Sequence, residues 1–207
     1  MAVFTEVSPQ EAAGLLSTLG LGALQSMQGC ASGIENTNYF VSTAHGDYVL
    51  TLFERLSAAQ LPFYLNLMHH LAQRGIPVPA PQANAQGEIL HMLKGKPAAV
   101  VTRLKGRNQL QPQAADCAQV GAMLARMHCA GTDYPAQQPN LRGLDWWTET
   151  IPVIRPHLSA EQAHLIESEL QFQQDLSRTP AYQALPRGPI HADLFRDNVM
   201  FDGPTLS

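Results

Sequence analysis

Apolar positions fall at helical spacing near the start of the chain, at strand spacing through its first half, and at helical spacing again through its second. Ser8-Pro9-Gln10-Glu11 has the marks of a helix start: a serine cap, proline at the first helical position, and a glutamate able to reach back to the cap. Leu15, Leu16 and Leu19 then share a face, and Gly20 and Gly22 end the helix. Residues 24–56 read as a β-meander, with strands over 24–28, 39–43 and 48–53. The small, turn-forming residues of 29–38 and the turn His45-Gly46-Asp47 join them. Leu65, Met68 and Leu71 predict an amphipathic helix over 61–74, closed by Gly75. Ile76-Pro77-Val78-Pro79-Ala80-Pro81 is an extended connector, and two further strands are expected near 88–93 and 97–104 around Lys94-Gly95-Lys96.

Beyond Lys105-Gly106-Arg107 the period changes. Val120, Leu124 and Met127 form the core stripe of a helix predicted over 114–129. Further helices are predicted over 145–154 and 159–176, and residues 186–189 link them to a last polar segment. Trp146 and Trp147 are read as packing residues of this half rather than a ligand groove. Strands followed by helices predict an α+β protein of two lobes, a strand-rich one over 1–104 and a helical one over 105–207.

Composition narrows the function classes. At 45% apolar and 14% charged residues, the 207-residue chain can bury a real core and is not a disordered chain. A net charge of −4 leaves no broad cationic surface for a nucleic-acid backbone. The N-terminus lacks a basic start followed by an apolar run, and no apolar stretch approaches the ~20 residues that span a bilayer. A soluble cytoplasmic protein is expected. Cys30, Cys117 and Cys129 lack C-x-x-C spacing and are read as reduced, small buried hydrophobes.

The chemistry concentrates in His191-Ala192-Asp193-Leu194-Phe195-Arg196-Asp197-Asn198. Phosphoryl transfer to an alcohol needs an acceptor for the hydroxyl proton and oxygen ligands for Mg²⁺. In His-x-Asp-x-x-x-x-Asn, Asp193 suits the first role, Asn198 can offer its amide oxygen to a metal, and His191 can brace the loop by hydrogen bonding. Val199-Met200-Phe201 reads as an anchoring strand and Asp202-Gly203-Pro204 as a turn. An EF-hand reading with Gly203 at its sixth position fails, because Met200 would stand at a ligand position. A metallohydrolase built on His191, Asp193 and Asp202 is the competing reading. The 29–38 segment, set between two strands, can lay backbone N–H groups over phosphates or be a plain β-turn.

Read in order, the chain resembles the kinase-like family of the aminoglycoside-phosphotransferase and choline-kinase fold, and within it the bacterial homoserine kinases of that fold. The resemblance rests on Gly33-Ile34-Glu35-Asn36-Thr37-Asn38-Tyr39-Phe40-Val41, Tyr48-Val49-Leu50-Thr51-Leu52, Leu61-Pro62-Phe63, Gly75-Ile76-Pro77-Val78-Pro79 and the stretch from His191 through Gly203. It implies a protein-kinase-like architecture, an antiparallel N-terminal lobe with an incomplete helical C-terminal lobe. It implies ATP-dependent phosphorylation of the L-homoserine hydroxyl, with Asp193 as base, His191 beside it and Asn198 on Mg²⁺. Gly33, Asn36 and Asn38 would cover the ATP phosphates, and residues 101–104 would meet adenine. An aminoglycoside, choline or related amino alcohol as acceptor, or a non-catalytic nucleotide-binding remnant, are the alternatives.

Two departures from the family pattern stand out. Thr51 occupies the place of a phosphate-binding lysine, and Phe63 and Tyr64 stand where its glutamate partner is expected. Both partners change together, which avoids an unpaired charge near phosphates. The Thr51 hydroxyl, Arg55 or Arg103 is the candidate replacement. The sequence also stops at Ser207, where a strand bearing a second metal-binding aspartate is expected. On this reading the chain is truncated, is inactive alone, and exposes apolar surface on residues 114–201.

Overall fold

The computed structural model describes residues 3–31 and 35–207. Ser8 caps helix α1 (Pro9–Thr18): its hydroxyl accepts the Glu11 N–H while the Glu11 carboxylate takes the Ser8 N–H. Strands β1 (Leu24–Gly29), β2 (Asn36–Thr43) and β3 (Gly46–Phe53) follow as an antiparallel meander, β2 and β3 pairing from Asn36↔Phe53 to Thr43↔Gly46. Helix α2 (Leu61–Gln73) comes next, then β4 (His91–Leu93) and β5 (Lys96–Thr102). The sheet runs β1-β2-β3-β5-β4, so β5 returns to pair with β3 and β4 takes the edge.

Alternation along β2 and β3 gives the sheet two faces. One carries Tyr39, Val41, Tyr48, Leu50 and Leu52, and α1 covers it with Ala12 and Leu16, joined by Leu19 at the helix end, to form the main core. At the end of this face the fully buried Thr37 accepts the Phe4 and Thr5 N–H groups and donates to Glu54 at 2.6 Å. Burial opposes ionisation of Glu54, but the Lys96 ammonium and the Thr37 and Thr5 hydroxyls outweigh it and hold its carboxyl below the usual range. The other face packs Ala99 against Leu61 and Leu65 of α2, with Phe53 and Met68 beside them.

Short strand β6 (Arg107–Asn108) leads to α3 (Ala114–Ala130), whose N-terminus is closed by a Gln113–Asp116 capping box. Near the end of the chain, β7 (Met200–Asp202) and β8 (Thr205–Leu206) join β6 in a second sheet of order β6-β7-β8. The chain divides into two compact units, Met1–Ala136 with Pro189–Ser207, and Gln137–Gly188. The second unit is helical: α4 (Leu144–Ile154), a 3-10 turn (Arg155–His157), α5 (Ala160–Ser177) and α6 (Pro180–Gln183). Ser159 and Thr179 cap α5 and α6, and Arg155 pairs with Glu167 at 2.5 Å.

The β-meander and the four long helices stand where the hydrophobic pattern predicts them. Three expectations need correction. Val120, Leu124 and Met127 are half-buried, and α3 has no buried residue. An amphipathic period tells which face of a helix is apolar, not how much covers it. Cys30 is buried as expected, and burial pushes its thiol up, but Cys117 and Cys129 are exposed on α3. Trp146 and Trp147, read as packing residues, are 39% and 38% exposed, with the Arg142 guanidinium 5.0 Å from the Trp146 ring. Among the described residues, no helix is long and apolar enough to cross a membrane.

Candidate functional site

Residues 191–195 have no regular structure and lead into a 3-10 turn, Arg196–Asn198, ahead of β7. The Asp193 N–H points to His191 Nδ1 at 3.4 Å, so His191 braces the loop weakly through its ring. Asn198 is the centre of the loop. Its backbone N–H donates to Phe195 O at 2.9 Å, and its Nδ2 donates to Asp193 O at 2.7 Å and to Asp193 Oδ2 at 3.0 Å. The side chains of Asp193 and Asn198, five residues apart, therefore meet directly. Between His191 and Asp193, Ala192 has φ +63, a left-handed conformation that costs a non-glycine residue about 1 kcal/mol. Backbone strain of this kind persists only where surrounding contacts impose it.

Residues 105–110 hold the C-terminal half of the loop. Asn108 Nδ2 donates to Asp197 O at 2.7 Å and to Val199 O at 3.0 Å. Arg196 Nη1 donates to Leu110 O at 2.9 Å. Gly106 has φ +107, and a β-carbon there would collide with the backbone of Phe201 and Asp202, so only glycine lets this segment lie flat on β7. Behind the loop, Asp116, Cys117, Leu194, Arg196 and Phe201 line a cavity of about 320 Å³.

The residues expected to meet the nucleotide lie on the sheet face opposite α1. Asn36, Asn38 and Phe40 alternate along β2, and Asn38 is paired with Thr51 of β3. Thr51 Oγ1 donates to Asn38 Oδ1 at 2.7 Å, so the place of the lysine holds a neutral hydrogen-bonded pair. Asn36 accepts the Glu54 N–H at 3.4 Å. Arg103 follows β5; its N–H donates to Asp47 O, and its guanidinium lies 3.9 Å from the Phe40 ring centroid, on the same face as Asn38. Arg55 pairs instead with Glu35 at 3.7 Å. Gly33 lies outside the described residues.

Helix α2 carries no acidic residue toward this face. Phe63 and Tyr64, where the glutamate is expected, line a second cavity of about 320 Å³ with Met68, Met127, His128 and His191. The helix is held from its other flank. Tyr134 Oη donates to Phe63 O at 2.9 Å, His70 Nε2 lies 3.0 Å from Ala130 O, and Arg74 pairs with Asp133 at 2.6 Å. The Arg74 guanidinium holds the Asp133 carboxyl below the usual range, and burial pushes the Tyr134 phenol up. Sequence reasoning missed Asn108, Arg196, Tyr134 and this clasp, because no local pattern marks a partner 59 to 91 residues away.

Among the described residues, no group of three or more His, Cys, Asp or Glu forms a metal site, so His191, Asp193 and Asp202 do not converge as a metallohydrolase would need. What the loop offers is a hard-oxygen pair, the Asp193 carboxylate and Asn198 Oδ1.

Comparison with known proteins places the chain in a family. The model of the phosphotransferase enzyme family, APH, matches residues 26–207. A homoserine kinase of Polaromonas naphthalenivorans is 63% identical over all of this chain and 66% of its own length. One from Janthinobacterium is 53% identical, over all of this chain and 64% of the relative. The chain thus spans about two thirds of the length of the curated relatives it matches. Among solved structures, an amicoumacin kinase in complex with AMP-PNP and Ca²⁺ superposes with a TM-score of 0.69 at 19% identity, covering 97% of this chain and 62% of that one. An aminoglycoside phosphotransferase from Alicyclobacillus acidocaldarius gives 0.62 at 13% identity, covering 98% and 65%. At such identities these structures show a shared fold.

Proposed function

Because the chain belongs to the phosphotransferase enzyme family, we propose that the protein is a homoserine kinase, transferring the γ-phosphoryl group of ATP to the side-chain hydroxyl of L-homoserine. The oxygen–phosphorus bond to ADP breaks, the new bond to the homoserine oxygen forms, and the hydroxyl proton passes to a base. The family membership supports phosphotransfer, and the names of relatives at 53% to 63% identity support the acceptor. The observation that carries the mechanism is the direct hydrogen bond from Asn198 Nδ2 to Asp193 Oδ2.

In this reading Asp193 accepts the hydroxyl proton. Asn198 orients it, since its amide holds one carboxylate oxygen and the Asp193 carbonyl at once. With Nδ2 so used, Oδ1 is the atom of Asn198 left to meet a cation, and an amide oxygen beside a carboxylate suits the hard-oxygen preference of Mg²⁺. Bound there, Mg²⁺ would offset the charge of the transferring phosphates. The Asn36–Asn38 edge of β2 and the Thr51 hydroxyl supply polar groups for the triphosphate. Arg103 supplies a cation on the same face, and Phe40 an aromatic surface for the base. Gly33 belongs to the same proposed nucleotide site, in a lobe over 1–104 that precedes a helical lobe over 105–207.

A positioned general base contributes on the order of 10²- to 10⁴-fold. Asp193→Ala should therefore lower homoserine-dependent ADP release by at least that factor, while ATP binding, followed by calorimetry, is retained. Near-normal turnover in this variant of the full-length protein would overturn the base assignment, and the absence of homoserine-dependent turnover in the full-length wild-type protein would overturn the acceptor.

A further inference from the structure

We propose that Asn108 is a positioning residue for Asn198, fixing the proposed metal ligand by holding the carbonyls of the residues before and after it. This inference rests on the reading of Asn198 as the Mg²⁺ ligand.

The geometry is specific. A primary amide has two N–H groups and one nitrogen, and Asn108 Nδ2 lies 2.7 Å from Asp197 O and 3.0 Å from Val199 O. These are the carbonyls of the residues before and after Asn198. The Asn198 N–H is taken by Phe195 O, and its side-chain nitrogen by Asp193. The peptide entering Asn198, the carbonyl of the residue after it and the rotation of its side chain are thus each tied to a named partner, which leaves Oδ1 as the side-chain atom to act on a ligand. Asn108 supplies the part of this that comes from outside the loop.

Asn108 is itself fixed. Its backbone pairs with Met200 in the antiparallel β6–β7 ladder, one residue after Arg107 pairs with Phe201. Gly106 lets the segment lie against Phe201, and the bond from Arg196 to Leu110 O ties the start of the 3-10 turn to the same stretch. Residues 106–110 thus form a strap across the loop, and the Asn108 amide is its contact at the ligand. Groups that orient a metal ligand from behind are worth about 10- to 100-fold in metal affinity.

Asn108→Asp is the informative variant, because it keeps the shape and replaces both donors with an oxygen facing two carbonyls. We expect its affinity for Mn²⁺ in the presence of ATP, read by electron paramagnetic resonance of free Mn²⁺, to fall at least tenfold. The Mg²⁺ concentration for half-maximal turnover should rise by a similar factor, with the KM for homoserine and metal-free ATP affinity unchanged. Asn108→Ala should move the same way. Wild-type Mn²⁺ affinity in both variants overturns the proposal. So does an equal loss of metal-free ATP affinity, which would mark a merely structural role. The Mn²⁺ measurement does not depend on the acceptor: if it shifts as expected while the full-length wild-type protein leaves homoserine unphosphorylated, the positioning role stands and the substrate assignment fails.

Discussion

Glu11 shows what one side chain can decide. Its carboxylate takes the Ser8 N–H at 2.9 Å, the Ser8 hydroxyl, and the Lys94 ammonium at 3.0 Å. The Ser8 N–H bond, followed by the Lys94 and Ser8 side chains, lowers its pKa from 4.5 to about 2. A depressed folded-state pKa means the unfolded chain takes up the proton first as pH falls. The contribution of Glu11 is therefore fully present above about pH 5 and is lost as pH descends from 4.5 to about 2. Replacing it with glutamine should lower the melting temperature at pH 6 and make the decline between pH 5 and pH 2.5 shallower than in the wild-type protein. Parallel acid declines in the two proteins would contradict this. Glu11 was legible because a capping box is local, with both partners inside four residues. Asp193 and Asn198 were proposed from a similarly local pattern, five residues apart. Asn108 was not: its partners lie 89 and 91 residues away, and nothing around Arg107-Asn108-Gln109 marks the middle residue.

Helix α2 was readable as an element and unreadable in its surroundings. Its apolar stripe predicts Leu65 and Leu71 as buried, and both are. Its closing Gly75 has φ +72 with no atom near the position of a β-carbon. The cost of Gly75→Ala is thus purely conformational, about 1 kcal/mol. It should appear as a lower urea midpoint with an unchanged slope, and Gly75→Asn should cost less. If alanine is neutral there, the helix does not end in the left-handed turn described. What the sequence does not disclose is the flank that meets Tyr134, Asp133 and Ala130, because those polar contacts have no periodic signature. The exposed Arg74–Asp133 ion pair in this clasp is screened by solvent and contributes little, and the less exposed Tyr134 and His70 bonds hold α2 more firmly. The same limit explains α3, whose stripe was found but whose covering was not.

Across the whole molecule, burial is uneven. The sheet and α1 contribute most of the buried side chains, whereas among the described residues of the Gln137–Gly188 unit only Ile151 and Ala163 are buried. Local stability follows such packing. Amide exchange should be slowest on β2, β3 and β5, and faster by several orders of magnitude on α4 and α5. Equal protection of the two units would show that the helical unit draws stability from something other than its own core. The α+β plan, an antiparallel sheet followed by helices, was legible because period and turn residues change together along the chain. The division into two units was not, since residues 105–136 are tied to residues 189–207 through the separate β6-β7-β8 sheet and to α2 through the clasp, neither marked by any sequence pattern. That clasp also has a metric meaning. Helix α2 touches Ala99 of the sheet on one flank and residues 130–134 on the other, and it shares a cavity wall with His191. Helix α2 therefore separates the sheet face from the cavity that His191 lines by one helix diameter, about 10–12 Å. Side-chain substitutions on α2 can reshape that cavity's wall, but the thickness of the wall is the diameter common to all α-helices.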